Sequence, residues 1–160
     1  MYTRMLADDA VSEEISLDTR PLYSISIASE LLDVHQQTLR IYEDKGLLIP
    51  ARRNTRRYYS NQDLTWIRTA RYLLHERRVC LTGLRRMLGL IPCWEILGCA
   101  SDVKEACPRS RQRSNPCWAV APRVGEKCYE CPVYRHAAEY ICDEEELVLA
   151  TNPLKQGHNT

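Results

Sequence analysis

Apolar positions in the first half of the chain recur at helical spacing, interrupted by one short alternating stretch. In SISIASELLD, residues 24–33, Ala28, Leu31 and Leu32 share a face of a short helix, with Ser26 placed to cap it. Asp33 and Val34 mark a tight break. In HQQTLRIYEDK, residues 35–45, Leu39 and Tyr42 stand at i, i+3, which predicts a second helix with a polar first turn. Gly46 follows where a helix end takes a left-handed residue, and Pro50 bars further helix.

ARRNTRRYY, residues 51–59, has paired arginines and tyrosines around a polar centre and predicts a β-ribbon with its tip at Asn54 and Thr55. Ser60 with Asp63 resembles a capping box opening NQDLTWIRTARYLLHE. Leu64, Ile67, Leu73 and Leu74 give that helix its buried face, with Trp66 at the edge. LTGLRRMLGL is a last short helix, ended near Gly89 and stopped by Pro92.

Helix, turn, helix, ribbon and two helices describe a mainly α fold, a winged helix-turn-helix over residues 21–91. The second helix of such a unit enters the DNA major groove by its N-terminal residues. Here these are His35, Gln36, Gln37 and Thr38, of which His and Gln can read base donors and acceptors. Arg40 lies further along and suits phosphate, as do the ribbon arginines Arg53, Arg56 and Arg57.

Charge sharpens this picture. The chain has 160 residues and a formal net charge of +1, but residues 51–90 hold ten arginines against only Asp63 and Glu76. The first arginine cluster sits in a turn rather than on a solvated helical face, which favours a polyanion as partner. Residues 1–20 carry scattered acids and no apolar core of a secretory signal, and are expected to be a flexible lead-in. No apolar run approaches membrane-spanning length. A cytoplasmic, nucleoid-associated protein without a membrane partner is expected.

"ISIASELLDVHQQTLRIYEDKGLLIPARRNTRRYYSNQDL" resembles the MerR family of bacterial transcription regulators. The resemblance rests on TLRIYEDKGLL, on RRYYS followed by Asp63, and on LTGLRRMLGL. The segment YSISIASELL and the residues His-Gln-Gln-Thr-Leu-Arg look most like its heat-shock repressor branch, HspR. This implies binding to a double-stranded operator as a homodimer, with Arg40, Tyr42, Arg57 and Tyr58 as backbone or base contacts, and repression rather than activation. A chaperone partner is implied by the branch alone. The family's long coiled-coil helix has no counterpart in the pattern here, because Pro92 and a cysteine-rich stretch follow at once.

That stretch, residues 92–136, repeats itself. Pro92-Cys93-Trp94 and Cys107-Pro108 recur at an offset of 24 as Pro116-Cys117-Trp118 and Cys131-Pro132. Cys99 and Cys128 complete two sets of three. With no export signal the compartment is reducing, so metal ligation or redox chemistry outranks structural disulfides. About forty residues with few aliphatics bury too little to fold alone, and a metal staple would supply the difference. The candidate ligands are Cys93, Cys99, Cys107, Cys117, Cys128 and Cys131. Zinc, an iron–sulfur cluster and thiol–disulfide chemistry all stay open, since only Cys128-x-x-Cys131 has a familiar ligand spacing.

Trp94 and Trp118 are expected to form the small module's own core. Cys80 is expected to pack in the helical domain, Cys142 to be a spare thiol, and His75 and His136 to be surface or packing residues. Residues 137–160 are expected to be a short helix, opened by the acidic run 143–146, and a disordered tail. The chain offers no Ser/His/Asp set, no paired carboxylates and no Gly-rich phosphate loop, so no enzyme is expected. The alternatives to a regulator that senses metal, redox state or stress are a small metal-binding or redox protein, and a regulator whose cysteine module serves only dimerisation.

Overall fold

The computed structural model describes residues 18–108, 113–120 and 128–151. Most of the expected lead-in and the tail after Pro153 lie outside these residues. Asp18 falls inside them and accepts a hydrogen bond from Asn61 Nδ2 at 3.3 Å.

A two-residue strand β1 (Tyr23–Ser24) runs straight into α1 (Ile25–Leu32). The cap of α1 is therefore Ser24, whose Oγ accepts from Ile27 N, and not Ser26. Pairing of Ser24 with Tyr58 holds it extended, so the helix begins one residue later and Ser26 is already inside it. Ala28 and Leu32 are buried, but Leu31 is 50% exposed beside Ile27, on the other side of the helix. Asp33 closes α1 with φ of 50°. The next helix, α2 (Gln36–Asp44), buries Leu39 and Tyr42 and ends at Gly46, φ 74°.

Strands β2 (Ala51–Arg53) and β3 (Arg56–Tyr59) form the expected ribbon, its tip turned by Asn54 at φ 57°. The sheet order is β1-β3-β2, antiparallel throughout. Ser60 and Asp63 make the full capping box of α3 (Asn61–His75). Trp66 is 5% exposed rather than at an edge, because its Nε1 donates to Leu47 O at 2.8 Å and so can be buried without loss. Leu73 is buried and Leu74 half-buried. Helix α4 (Leu81–Gly89) buries Leu84 and Leu88.

Beyond Pro92 the chain proceeds in short pieces: α5 (Cys93–Ile96), α6 (Ser101–Ala106), α7 (Cys117–Val120), a 3-10 turn (Cys128–Glu130), α8 (Pro132–Arg135), α9 (Ala137–Ile141) and α10 (Glu144–Thr151). These pieces do not make a core of their own. Trp118, Val133, Tyr134, Ala137 and Cys142 join one buried cluster with Leu39, Tyr42, Leu48, Tyr59 and Ile67. The backbone of Arg113 and Asn115 lies so close to Gly89 that a side chain there would collide with it. Trp118 is thus core, as expected, but core shared with the winged domain. Trp94 is only half-buried and carries the Lys104 ammonium 4.3 Å and the Arg113 guanidinium 4.7 Å from its ring centre. The two halves of the sequence repeat therefore occupy different environments. The acidic run opens α10, with Asp143 Oδ1 accepting from Glu146 N at 2.8 Å. Glu146 also pairs with Arg77 at 3.0 Å.

Candidate nucleic-acid interface

Helix α2 offers its polar side outward. His35 stands extended ahead of the first turn and makes no side-chain cap. His35, Gln37 and Arg40 are exposed, and Gln36 and Thr38 are partly so. Gln36 Nε2 donates to Ser26 Oγ at 3.2 Å, which ties the first turn of α2 to α1. Tyr42 is a correction. It lies 5% exposed on the face of Leu39, its hydroxyl pushed up in pKa by burial, and presents nothing to a groove. One side chain at i, i+3 from Leu39 cannot line both the core and the groove.

The ribbon concentrates charge. Its register sets Arg52 opposite Arg57 and Arg53 opposite Arg56. Like charges directly opposite on a strand pair are unfavourable without a counter-charge. The first pair has one: Glu43, in the last turn of α2, takes Arg52 on one carboxylate oxygen and the Arg57 Nε on the other. That hydrogen bond holds the Arg57 guanidinium still more firmly protonated. The second pair is differently placed. Arg53 stacks over Tyr58 at 5.1 Å and reaches Pro21 O at 3.3 Å, and both Arg53 and Arg56 are exposed. Arg53, Arg56 and Tyr58 share one face of the ribbon, whereas Arg57 faces α2 with the buried Tyr59.

Sequence reasoning passed over Glu43 and left Arg52 out of the contact set. A signal existed for Glu43. It and Asp44 sit at the negative end of a helix that has no basic residue in its last turn, a place where an acid calls for a cation from elsewhere.

The six repeat cysteines separate into two groups. Cys93, Cys117, Cys128 and Cys131 pack half-buried against the common core, and Cys99 and Cys107 lie off it. Among the described residues no three His, Cys, Asp or Glu side chains converge to hold a metal ion. Cys80 does not pack in the domain. It is exposed, and its Sγ caps α4 by accepting from Gly83 N at 3.3 Å. Cys142 is buried, and burial first, then Glu146 and Asp143, push its thiol up to about 11. His136 is exposed and pairs with Glu139 at 3.0 Å. Because a thiolate is the reactive form, limited N-ethylmaleimide at pH 7.5 should modify Cys80 first and Cys142 last by peptide mass mapping. Early labelling of Cys142 would mean that its cover opens readily.

Residues 23–90 match the family model for the MerR HTH family regulatory protein. The chain is also 38% identical over 78 residues to a protein of Streptomyces coelicolor (strain ATCC BAA-471 / A3(2) / M145) named as heat shock protein HspR, a match covering 48% of this chain and 51% of that one. The chain thus spans about half the length of the curated relative it matches. No solved structure matches it. No helix among the described residues is long and apolar enough to cross a membrane.

Proposed function

We propose that residues 23–90, which match the MerR HTH family model, act as a winged helix-turn-helix DNA-binding domain, and that the chain is a sequence-specific DNA-binding transcription regulator acting as a repressor. The observation that carries the proposal is the exposed Arg53–Arg56 pair, held opposite each other on a ribbon that Glu43 ties to the last turn of α2, while the polar first turn of α2 stays exposed. Such a pair is stabilised by phosphates on either side of a groove. His35, Gln37 and Thr38 then face base edges, and Arg40 lies further along the backbone.

A homodimer on a double-stranded operator belongs to this proposal, as does a place in the bacterial cytoplasm beside the nucleoid. Both follow from how MerR-type regulators act. A chaperone partner has only the relative's heat-shock name behind it, and no catalytic step is included. The finer part of the proposal is that the cysteine-rich segment reports metal, redox state or stress to the domain. Among the described residues the six cysteines are not gathered as zinc or iron–sulfur ligands. Thiol reactivity carries this part. The burial of Trp118 and Tyr134 in the shared core favours a second reading, in which the segment is purely structural.

Selection from a random duplex library tests the proposal. The full chain should enrich a defined sequence, and Gln37→Ala should relax preference at one base position, at a cost of about 1–3 kcal/mol in discrimination. Enrichment of no sequence by the unmodified chain would remove the groove assignment.

A further inference from the structure

The cysteine-rich segment touches the winged domain at one mechanically sensitive place, the backbone that joins α2 to β2. Trp118 Nε1 donates to Gly46 O at 2.7 Å. Ile49 N donates to the hydroxyl of Tyr134 at 3.3 Å, and that hydroxyl donates in turn to Asp63 Oδ1 at 2.9 Å. The two rings meet edge to face at 5.2 Å. A Cβ built on Gly46 would stand 2.9 Å from Ala119 Cβ, so α7 is pressed against the very end of the recognition helix. Gln62 Nε2, at the start of α3, donates to Arg135 O at 2.7 Å. The end of α2, the approach to the ribbon and the start of α3 are thus all gripped by two short helices.

The space beside this grip is not filled. Among the described residues, an open cleft of about 450 Å³ lies between Lys45, Ile49 and Arg52 on one side and Arg85 and Trp118 on the other. A joint next to a cleft can change angle without breaking a packed core. The same two short helices carry the thiols. Cys117 is the residue before Trp118, and Cys131 stands at the N-cap position of the helix that bears Tyr134, without a side-chain cap bond.

We propose that Trp118 and Tyr134 are positioning residues of the DNA-reading head, setting the angle between recognition helix and wing, and that chemistry at Cys117 and Cys131 reaches that angle through them. A base contact from α2 and a phosphate contact from the ribbon must be met together, so a small change of this angle costs sequence-specific binding first. Binding to unrelated duplex, which the ribbon can make alone, is left nearly intact. The inference rests on the DNA-binding reading above.

The test uses the full chain and the duplex it enriches from the random library. Trp118→Phe and Tyr134→Phe each keep a ring and remove hydrogen bonds to the joint. Each should weaken binding to the enriched duplex by about tenfold, the scale of one buried hydrogen bond, and leave a scrambled duplex unaffected. Circular dichroism reports whether the fold is kept. Should either variant fail to fold, Gln62→Met removes the fourth hydrogen bond of the grip at a half-exposed site and carries the same expectation.

The second readout is N-ethylmaleimide, which adds a single thiol across its double bond. Labelling mapped to Cys117 and Cys131 should lower the specific affinity of the unmodified chain and have little further effect in the Phe variants. A purely structural segment predicts the same loss on labelling in all three. Folded Phe variants that bind the enriched duplex like the unmodified chain would overturn the positioning role. Labelling without effect on the unmodified chain would overturn the link to the thiols. If the unmodified chain enriches no duplex, it is the DNA-binding reading that falls, which is a separate result.

Discussion

Replacing Arg53 and Arg56 together by alanine should lower affinity for every duplex, enriched or scrambled, about a hundredfold near 0.1 M salt. Each phosphate neutralised on duplex DNA adds a slope of about −0.9 to the dependence of log affinity on log salt, which is roughly tenfold per contact at that salt. The double variant should therefore flatten the slope by about 1.8. Two features place the effect at this pair. Both guanidinium groups are exposed on the ribbon face away from α2. Their neighbours across the ribbon, Arg52 and Arg57, are already held by Glu43, with the Arg57 side chain only 23% exposed.

Arg57→Ala alone should accordingly cost less affinity and less salt slope than the loss of a free phosphate contact would, and should loosen the wing from α2. Folding stability supplies the control. Arg53 and Arg56 face each other as like charges, and relief of that repulsion offsets the loss of the Arg53 contacts with Tyr58 and Pro21 O, so their removal should change the melting temperature little. Fluorescence anisotropy titrations at four salt concentrations measure the slope. An unchanged slope in a folded double variant would mean that the ribbon does not follow the phosphate backbone.

What could be read from the sequence was local. The turn at Asn54, the left-handed exit at Gly46 and the Ser60–Asp63 box are each decided within four residues, and each stands in the structure. Errors came where a partner lay far along the chain. Ser26 lost the cap of α1 because Ser24 is fixed by Tyr58 across the sheet. Trp66 is buried because Leu47 O meets its indole, and Tyr42 because its helix face was already committed to the core. Glu43 joins two arginines nine and fourteen positions away, a join set by strand register.

The cysteine repeat was the strongest pattern in the chain and the least informative about structure. Identity at a fixed offset says that two segments share an origin or a chemistry. It does not say that they share surroundings, and Trp94 and Trp118 do not. Docking on the winged domain gives residues 128–142 a core that the segment's own composition could not supply.

Asp63→Ala should be the most destabilising of the substitutions considered, by about 3 kcal/mol in urea unfolding. The carboxylate is 5% exposed and accepts from Ser60 N at 2.8 Å, Ser60 Oγ at 2.8 Å and Tyr134 Oη at 2.9 Å. Truncation removes the Asp63 half of the capping box, worth about 1 kcal/mol, and leaves the buried Tyr134 hydroxyl without its acceptor, worth about 1–3 kcal/mol more. Asp63→Asn, which keeps the shape, adds a pH signature. Burial raises the Asp63 pKa more than its hydrogen bonds from Ser60 and Tyr134 and the nearby Arg135 lower it. The folded state then holds the proton more tightly than the unfolded chain does. Protonation of Asp63 thus contributes stability that is complete below the ordinary carboxylate range and is lost as pH rises through the raised folded value. Relative to Asp63→Asn, the unmodified chain should gain stability as pH falls from 7 towards 4. The opposite trend would mean that the three hydrogen bonds outweigh burial. Tyr134→Phe removes one of the three, so in that background the step from Asp63 to Ala should cost less, by about 1 kcal/mol of coupling. Additive costs would mean that the cysteine-rich segment lies against the capping box without supporting it.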